Sequence, residues 1–214
     1  MLVLFKNTVK KSNIKLTLLS FLLGTLLIGC ASDVEYVTQD NEKEAVSLGL
    51  DSQDFEHAAQ ESLNSLLISN ALNKPGGGRY VVAIGKVVND TTLRIDTDML
   101  IKKIRMGMLQ SGKAVITVAV AGNTNGVDDL IYDVRELRDN DEFKQETIAG
   151  KGTLIAPDFS LTGKILQRIA RTGKNKQLVE YYLQLSLTDI KSGLVYWEGE
   201  SIVRKLGSNK STAW

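Results

Sequence analysis

Residues 159–190 read FSLTGKILQRIARTGKNKQLVEYYLQLSLTDI and predict a long antiparallel hairpin. Two extended arms flank residues 172–176 (TGKNK), a short polar segment containing the glycine that hairpin turns favour. Apolar and polar side chains alternate along the second arm, which is typical of a strand with one buried and one solvated face. The predicted core positions on this arm are Val179, Tyr181, Leu183, Leu185 and Leu187.

The chain that follows continues the antiparallel pattern. Residues 191–193 (KSG) predict a second turn, and residues 194–203 (LVYWEGESIV) predict a third strand. The three strands together form an antiparallel meander. Residues 207–214 are polar and are predicted to be a loose C-terminal tail.

The chain before the hairpin predicts helices between strands. Residues 80–88 (YVVAIGKVV) and 114–121 (AVITVAVA) are β-branched and apolar, and a helix opening at Thr97 and ending at Gly112 connects them. This strand–helix–strand order predicts a parallel pair with the helix packed on the sheet. The predicted buried face of that helix carries Leu100, Ile101, Ile104 and Leu109.

Two further helices are predicted. One begins at the Asp51-Ser52 cap, and the other covers residues 127–140 with an apolar face formed by Leu130, Ile131, Val134 and Leu137. The prediction is therefore an α+β domain over residues 51–206. Its mixed β-sheet ends in an antiparallel C-terminal meander, and helices pack on the sheet.

The N-terminus has the features of a secretory signal. Four lysines precede the apolar run 16–29, which is shorter than the roughly 20 residues that a membrane-spanning helix needs. Residues 27–30 (LIGC) resemble a bacterial lipobox, which implies cleavage of the signal peptide 1–29 and acylation of the Cys30 thiol. A plain signal peptide or an uncleaved anchor is the alternative.

Residues 30–50 are polar, acidic and without sustained periodicity, and they predict a flexible tether. About 20 residues reach roughly 65 Å when fully extended. The lipobox resemblance also favours the periplasmic face of the outer membrane, because no aspartate directly follows Cys30.

Composition argues against several kinds of function. Removing residues 1–29 changes the formal charge from +1 to −3, and no basic block is left for nucleic acid. His57 is the only histidine and Cys30 the only cysteine, so no Ser-His-Asp or Cys-His arrangement is available. The acidic runs at residues 128–129 and 139–142 lack the spacing of a calcium loop. We expect no enzyme, no metal site, no small-molecule substrate and no cofactor beyond the lipid on Cys30.

Several segments together resemble the LpoB-type penicillin-binding-protein activator lipoproteins. They are residues 81–91 (VVAIGKVVNDT), 111–113 (SGK), 156–164 (APDFSLTGK) and 182–189 (YLQLSLTD). The resemblance covers most of residues 52–205 and implies a fold like the N-terminal domain of TolB and the periplasmic domain of CsgG. It also implies an outer-membrane lipoprotein that binds and activates a class A penicillin-binding protein, regulating peptidoglycan synthesis and cell shape. The alternative is an envelope assembly or secretion lipoprotein of the CsgG type.

The predicted hairpin is cationic, whereas the rest of the domain is acidic. This hairpin is therefore the surface feature that predicts a binding site for a partner. The candidate contact residues lie around strand ends and this hairpin: Asn89, Arg94, Arg168, Arg171, Lys174 and Lys176. Each of them is alternatively only a solvated loop residue.

Overall fold

A computed structural model describes residues 47–122, 126–208 and 210 of the chain. These residues belong to one compact unit, residues 45–214. The predicted signal peptide, Cys30 and most of the predicted tether lie outside the described residues. Among the helices that are described, none is long and apolar enough to cross a membrane.

Helices and strands alternate through the first half of this unit, and strands dominate the second. The helices are α1 (Ser52–Ile68), α2 (Thr97–Gln110) and α3 (Leu130–Glu136), with a 3-10 turn at Gln145–Thr147. The strands are β1 (Tyr80–Asp90), β2 (Ala114–Thr117), β3 (Phe159–Arg171), β4 (Lys176–Asp189) and β5 (Val195–Ser208).

The five strands form one sheet in the order β2-β1-β3-β4-β5. Strand β1 is parallel to both β2 and β3, whereas β3–β4 and β4–β5 are antiparallel. The β3–β4 hairpin keeps an unbroken register from Phe159 opposite Asp189 to Arg171 opposite Gln177. The predicted α+β class, with its mixed sheet and antiparallel C-terminal meander, is confirmed.

The main core lies between the sheet and helices α1 and α2, on one face of the sheet. All five predicted core positions of β4 are buried, and Leu187 is completely so. The opposite face is solvated and polar: Gln184 donates a hydrogen bond to Glu200, and Ser186 donates one to Glu198. This division is the one that the alternation along β4 predicts.

Replacing Leu187 by alanine is expected to lower the free energy of unfolding by about 3 kcal/mol. Leu187 lies between Leu161 of β3 and Trp197 of β5, and all three side chains are buried, so the lost methyl groups leave a cavity. Urea unfolding of the purified chain measures the change. Leu194→Ala is the control, because Leu194 is 61% exposed, and it should cost no more than about 0.5 kcal/mol. Equal losses of unfolding free energy in the two variants would contradict a core that lies on one face of the sheet.

A partly buried ion cluster attaches the start of α1 to the sheet. Asp51 and Asp54 form a reciprocal capping box, in which each carboxylate accepts from the backbone N–H of the other. The Lys205 ammonium of β5 contacts Asp51 at 2.9 Å and Asp54 at 2.5 Å, and it donates to the Gly49 carbonyl at 2.8 Å. The entry of the chain into the domain is therefore fixed against β5.

The packed part of the chain extends past the predicted bounds at both ends. Leu48, which the sequence pattern assigns to the tether, is 6% exposed and packs with Val179 and Tyr181. At the other end, β5 continues to Ser208, opposite Lys176. The hairpin end of the sheet supplies the surface that covers Leu48.

Two predicted elements are shorter than expected. Strand β2 stops at Thr117, and the backbone then turns so that the Asp128 N–H donates to the Val118 carbonyl. Helix α3 has seven residues, and none is buried. The chain turns sharply after α3, where the Gln145 side-chain amide donates to the carbonyls of Leu137, Asn140 and Phe143.

Two predictions about helix faces are wrong. Leu130 and Val134 of α3 are 66% and 45% exposed, because α1 and α2 are the helices that pack on the sheet. In α2, Leu109 is 46% exposed and the neighbouring Met108 is fully buried. Ile104 follows Ile101 after three residues and Met108 follows Ile104 after four, so all three lie on the same helical stripe.

Candidate partner-binding surface

The residues that the sequence predicts as contacts with a partner lie at one end of the sheet. Parallel strands β1 and β3 both point toward this end, where Asp90 lies level with Leu166. Strand β3 continues from there into the turn to β4, which is closed by a hydrogen bond from the Thr172 N–H to the Lys176 carbonyl. Gly173 adopts φ +74° in this turn, a conformation that glycine adopts without strain.

Asn89 organises the loop that leaves β1. Its side-chain amide donates to the Leu93 carbonyl at 2.8 Å, and its side-chain oxygen accepts from the Thr91 hydroxyl at 2.7 Å. These bonds close an Asx-type turn. The contacts given to Asn89 are thus intramolecular, and they position the loop that carries Arg94.

The same loop is tied to β3. The backbone N–H and the hydroxyl of Thr92 both donate to the Gln167 side-chain oxygen, at 2.9 and 2.7 Å. The Gln167 amide then donates to the Tyr181 hydroxyl at 3.3 Å, which in turn donates to the Leu48 carbonyl at 2.9 Å. Burial raises the pKa of Tyr181, so this phenol stays a hydrogen-bond donor at neutral pH. The chain of bonds joins the loop, two strands and the entering segment.

Three charged side chains form a row across β3, β4 and β5. Glu180 lies opposite Arg168 on one side and Arg204 on the other. The Arg204 Nε atom donates to one Glu180 oxygen at 3.0 Å, and the Tyr182 hydroxyl donates to the other at 3.0 Å. Hydrogen bonds from Arg204 and then Tyr182 lower the pKa of Glu180, with a smaller contribution from the charge of Arg168. Within the described ranges, Glu180 therefore pairs with Arg204 alone, and Arg168 adds an unpaired positive charge beside it.

We call the cationic residues at this end of the sheet the basic end: Arg94, Arg168, Arg171, Lys174, Lys176 and Arg204. All six are exposed. Among the described residues, Arg204 is the only one of the six that forms an ion pair within 4.0 Å. The unpaired cations favour long-range attraction of an acidic partner surface.

Arg204 was missed by the sequence prediction. The strand that carries it was expected to end at residue 203, and its neighbours across the sheet depend on the β4–β5 register. The alternation of β4 places Glu180 on the solvated face of the sheet. An acidic residue within a cationic hairpin indicates a basic residue opposite it on the next strand, and this was the one feature of the sequence that pointed to Arg204.

The opposite end of the sheet is apolar. The buried Phe159 ring contacts Tyr80 and Tyr196 edge-on, with centroid distances of 4.7 and 5.1 Å. Tyr196 and the adjacent Val195 are each 53% exposed, and Leu194 is 61% exposed. The alternation that predicts β5 contains no information about what covers this end, so the exposed group was not predicted.

Candidate catalytic and metal-binding groups do not converge in the described part of the chain. His57 lies exposed on α1. In residues 47–122, 126–208 and 210, no three His, Cys, Asp or Glu side chains are grouped so that they could hold a metal ion.

Comparison with known proteins identifies the family. The family model described as peptidoglycan-synthase activator LpoB matches residues 54–203, from the first turn of α1 into β5. No curated protein matches the sequence. Among solved structures, the LpoB C-terminal domain from Salmonella enterica is similar at 15% identity and a TM-score of 0.41, over 70% of this chain and 98% of that one.

Two further solved structures are similar to the chain. The LpoB C-terminal domain from Escherichia coli is 14% identical with a TM-score of 0.39, over 70% of this chain and 98% of that one. Lipoprotein GNA1162 from Neisseria meningitidis is 9% identical with a TM-score of 0.33, over 62% of this chain and 86% of that one. Because the family model spans most of the chain, including the whole sheet apart from the end of β5, the protein belongs to the LpoB family, whose members are activators of peptidoglycan synthases and not enzymes.

Proposed function

We propose that this protein is a cell-envelope lipoprotein that binds and activates a class A penicillin-binding protein. In this proposal a lipid on Cys30 anchors it to the periplasmic face of the outer membrane, and residues 30–46 form the tether. The observation that carries the proposal is the family match over residues 54–203, which runs from α1 into β5.

The proposed mechanism is binding without chemistry. The domain binds the active conformation of the synthase more tightly than the inactive one, so the activation is no larger than the ratio of the two affinities. The basic end supports this role because its exposed cations are held on a hairpin and a loop that hydrogen bonds fix in place. A rigid surface loses little conformational entropy on binding.

Anchoring determines where the domain meets the synthase. The chain enters the fold at Leu48, and Lys205 holds the start of α1 on β5, so the tether ends beside the basic end. About 17 residues before Leu48 reach roughly 55 Å when extended. A tether of this length restricts contact to a shell near the membrane and raises the effective concentration of the domain there.

Affinity capture tests the proposed partner. Immobilised chain 31–214 is expected to retain a detergent-solubilised class A penicillin-binding protein from the same cells, and to release a class B protein that serves as the control. Retention of secretion or assembly components, with no class A protein bound, would contradict the proposal.

Replacing Cys30 by alanine separates binding from location. The variant is expected to bind the synthase in solution as the unchanged chain does, because residue 30 lies outside the compact unit that starts at residue 45. In cells that lack the wild-type gene, it should fail to restore normal peptidoglycan synthesis, because without the lipid it loses its membrane attachment. Membrane fractionation together with the incorporation of labelled wall precursor measures both effects. Full restoration by an untethered variant would show that anchoring is dispensable.

A further inference from the structure

A cleft of about 330 Å³ lies between α2 and the loop that follows β2. Ile84 of β1 and Ile101 of α2, both 6% exposed, form its apolar floor. Asp98, Lys102 and Met106 of α2 line the cleft at exposed positions, so it is open to solvent. The basic end contributes none of these residues, and the cleft is therefore a separate surface.

The course of the loop after β2 shapes this cleft. The pairing of β2 with β1 ends at Thr117, level with the residue before Ile84. The loop then crosses beside β1, where the Gly122 N–H donates to the Ile84 carbonyl at 3.4 Å. A β-carbon on Gly122 would lie 2.8 Å from the Gly85 Cα atom, so glycine is needed for this close approach. Gly126, farther along the loop, lines the cleft.

Arg105 of α2 also lines the cleft, and it is half-buried. Its Nε atom is buried and has no hydrogen-bond partner in the part of the chain that the structure describes. The side chain forms no ion pair within 4.0 Å with a described residue. A guanidinium group stays positively charged in proteins, and charges withdrawn from water are normally paired. Arg105 is therefore a partly buried cation whose counter-ion the described residues do not supply.

The charges around the cleft indicate the charge of its ligand. Asp98, Lys102 and Arg105 follow one another at spacings of four and three residues, so they lie on one stripe of α2. Two cations and one acid give the described lining a net charge of +1, which a single carboxylate neutralises. A doubly charged phosphate would exceed this charge, and the Asp98 carboxylate would repel it.

The apolar floor indicates the rest of the ligand. Ile84, Ile101 and the 49% exposed Met106 offer aliphatic surface beside the cations, which favours a ligand that buries a short apolar group there. The planar guanidinium group of Arg105 has N–H donors in a geometry that matches the two oxygens of a carboxylate. The cleft thus fits a carboxylate joined to a small apolar group, as found at the C-terminus of a short peptide or in a short-chain acid.

We infer that the cleft between α2 and the loop after β2 is a binding site for such a carboxylate ligand. Arg105 binds the carboxylate, Lys102 adds attraction at the rim, and Ile84 and Ile101 contact the apolar group. The site does not depend on the identity of the synthase, and the proposed activation does not require it.

A titration followed by amide chemical shifts tests the site on chain 31–214, which contains the whole compact unit. N-acetyl-dialanine should produce saturable shifts at Ile84, Ile101 and Arg105. Its C-terminal amide has nearly the same shape without the charge, and it should bind at least about tenfold more weakly. Inorganic phosphate should also bind more weakly than the acid. Butyrate separates the two sources of the carboxylate: binding as tight as that of N-acetyl-dialanine assigns the site to short-chain acids, and weaker binding assigns it to peptide C-termini.

Variants of the cations test the role of each one. Arg105→Met keeps an unbranched apolar side chain without the charge and should weaken binding of N-acetyl-dialanine at least about tenfold. Arg105→Lys should retain part of the affinity, because it keeps the charge but not the paired donors. Lys102→Met should weaken binding only about threefold, since Lys102 is exposed. Arg79→Met is the matched control: Arg79 is exposed and does not line the cleft, so binding should be unchanged.

Urea unfolding separates a binding role of Arg105 from a structural one. Arg105→Met should unfold at a urea concentration no lower than the wild type, because the lost charge has no internal partner among the described residues. A marked loss of stability in this variant would overturn the inference. So would equal binding of N-acetyl-dialanine and its amide, tighter binding of phosphate, unchanged binding by Arg105→Met, or no binding of either carboxylate at about 10 mM.

Discussion

The double variant Lys174→Glu with Lys176→Glu is expected to bind the synthase at least about tenfold more weakly than the unchanged chain, mainly through slower association. Both lysines are exposed, and neither forms an ion pair with a described residue, so their replacement removes attraction without removing an internal contact. Surface plasmon resonance gives the association and dissociation rates separately.

The matched control is Lys151→Glu with Lys191→Glu. It changes the net charge equally, both residues are exposed, and Lys191 lies in the turn at the opposite end of the sheet. We expect it to bind nearly as the wild type does. Raising the salt concentration should weaken the wild type more than the hairpin variant, because salt screens the attraction that the variant lacks. Equal losses in the two double variants would show that net charge matters and the basic end does not.

Replacing Lys205 by methionine is expected to lower the free energy of unfolding by about 3 kcal/mol at neutral pH. The lysine side chain is 15% exposed, and its removal leaves the Asp51 and Asp54 carboxylates without their cation. Methionine retains most of the volume of the lysine side chain, so the decrease in the free energy of unfolding measures the effect of removing the positive charge. Lys164→Met is the control: the Lys164–Asp90 pair is exposed, 44% and 59%, and should be worth less than about 1 kcal/mol.

The effect of Lys205→Met should depend on pH in a defined direction. Burial opposes ionisation of Asp51, but the hydrogen bond and charge of Lys205 outweigh it, so the pKa of Asp51 is below its ordinary 3.8. The stability from this group is present above pH 3.8 and is lost as the pH falls through the lower folded-state value. For Lys205, burial opposes the charge but the two aspartates raise the pKa above 10.5, so its contribution is lost only as the pH rises beyond that value.

The difference between wild type and variant should therefore be constant from about pH 5 to 9 and should shrink in acid. Urea unfolding at a series of pH values measures it. A difference that grows as the pH falls below 4 would contradict the assignment of the ion cluster.

The hairpin was predictable because its signal is local. Alternation along residues 179–187 identifies the buried face of β4, and a glycine-containing turn joins two arms of matching length. The Asp51 cap of α1 and the glycine at residue 112 that ends α2 were predictable for the same reason, since such signals depend on a few adjacent residues. Candidate residues on the hairpin were therefore placed at one end of the sheet without knowledge of the structure.

What could not be predicted depends on contacts between distant segments. Arg204 joins the basic end through the β4–β5 register, which no local pattern contains. The apolar spacing of α3 resembles that of a core helix, but α1 and α2 already cover the sheet. The ion cluster required Lys205 to meet Asp51, which lies 154 residues earlier in the chain.

The folded domain is proposed to activate a class A synthase by binding it. The most direct measurement is the rate of glycan-chain polymerisation by a purified class A penicillin-binding protein from the same cells, titrated with chain 31–214. The rate is expected to rise and to saturate at a fixed ratio of the two proteins, and the Lys174→Glu, Lys176→Glu variant is expected to require at least about ten times more protein to reach the same plateau. A rate that stays unchanged while the two proteins demonstrably bind would contradict it.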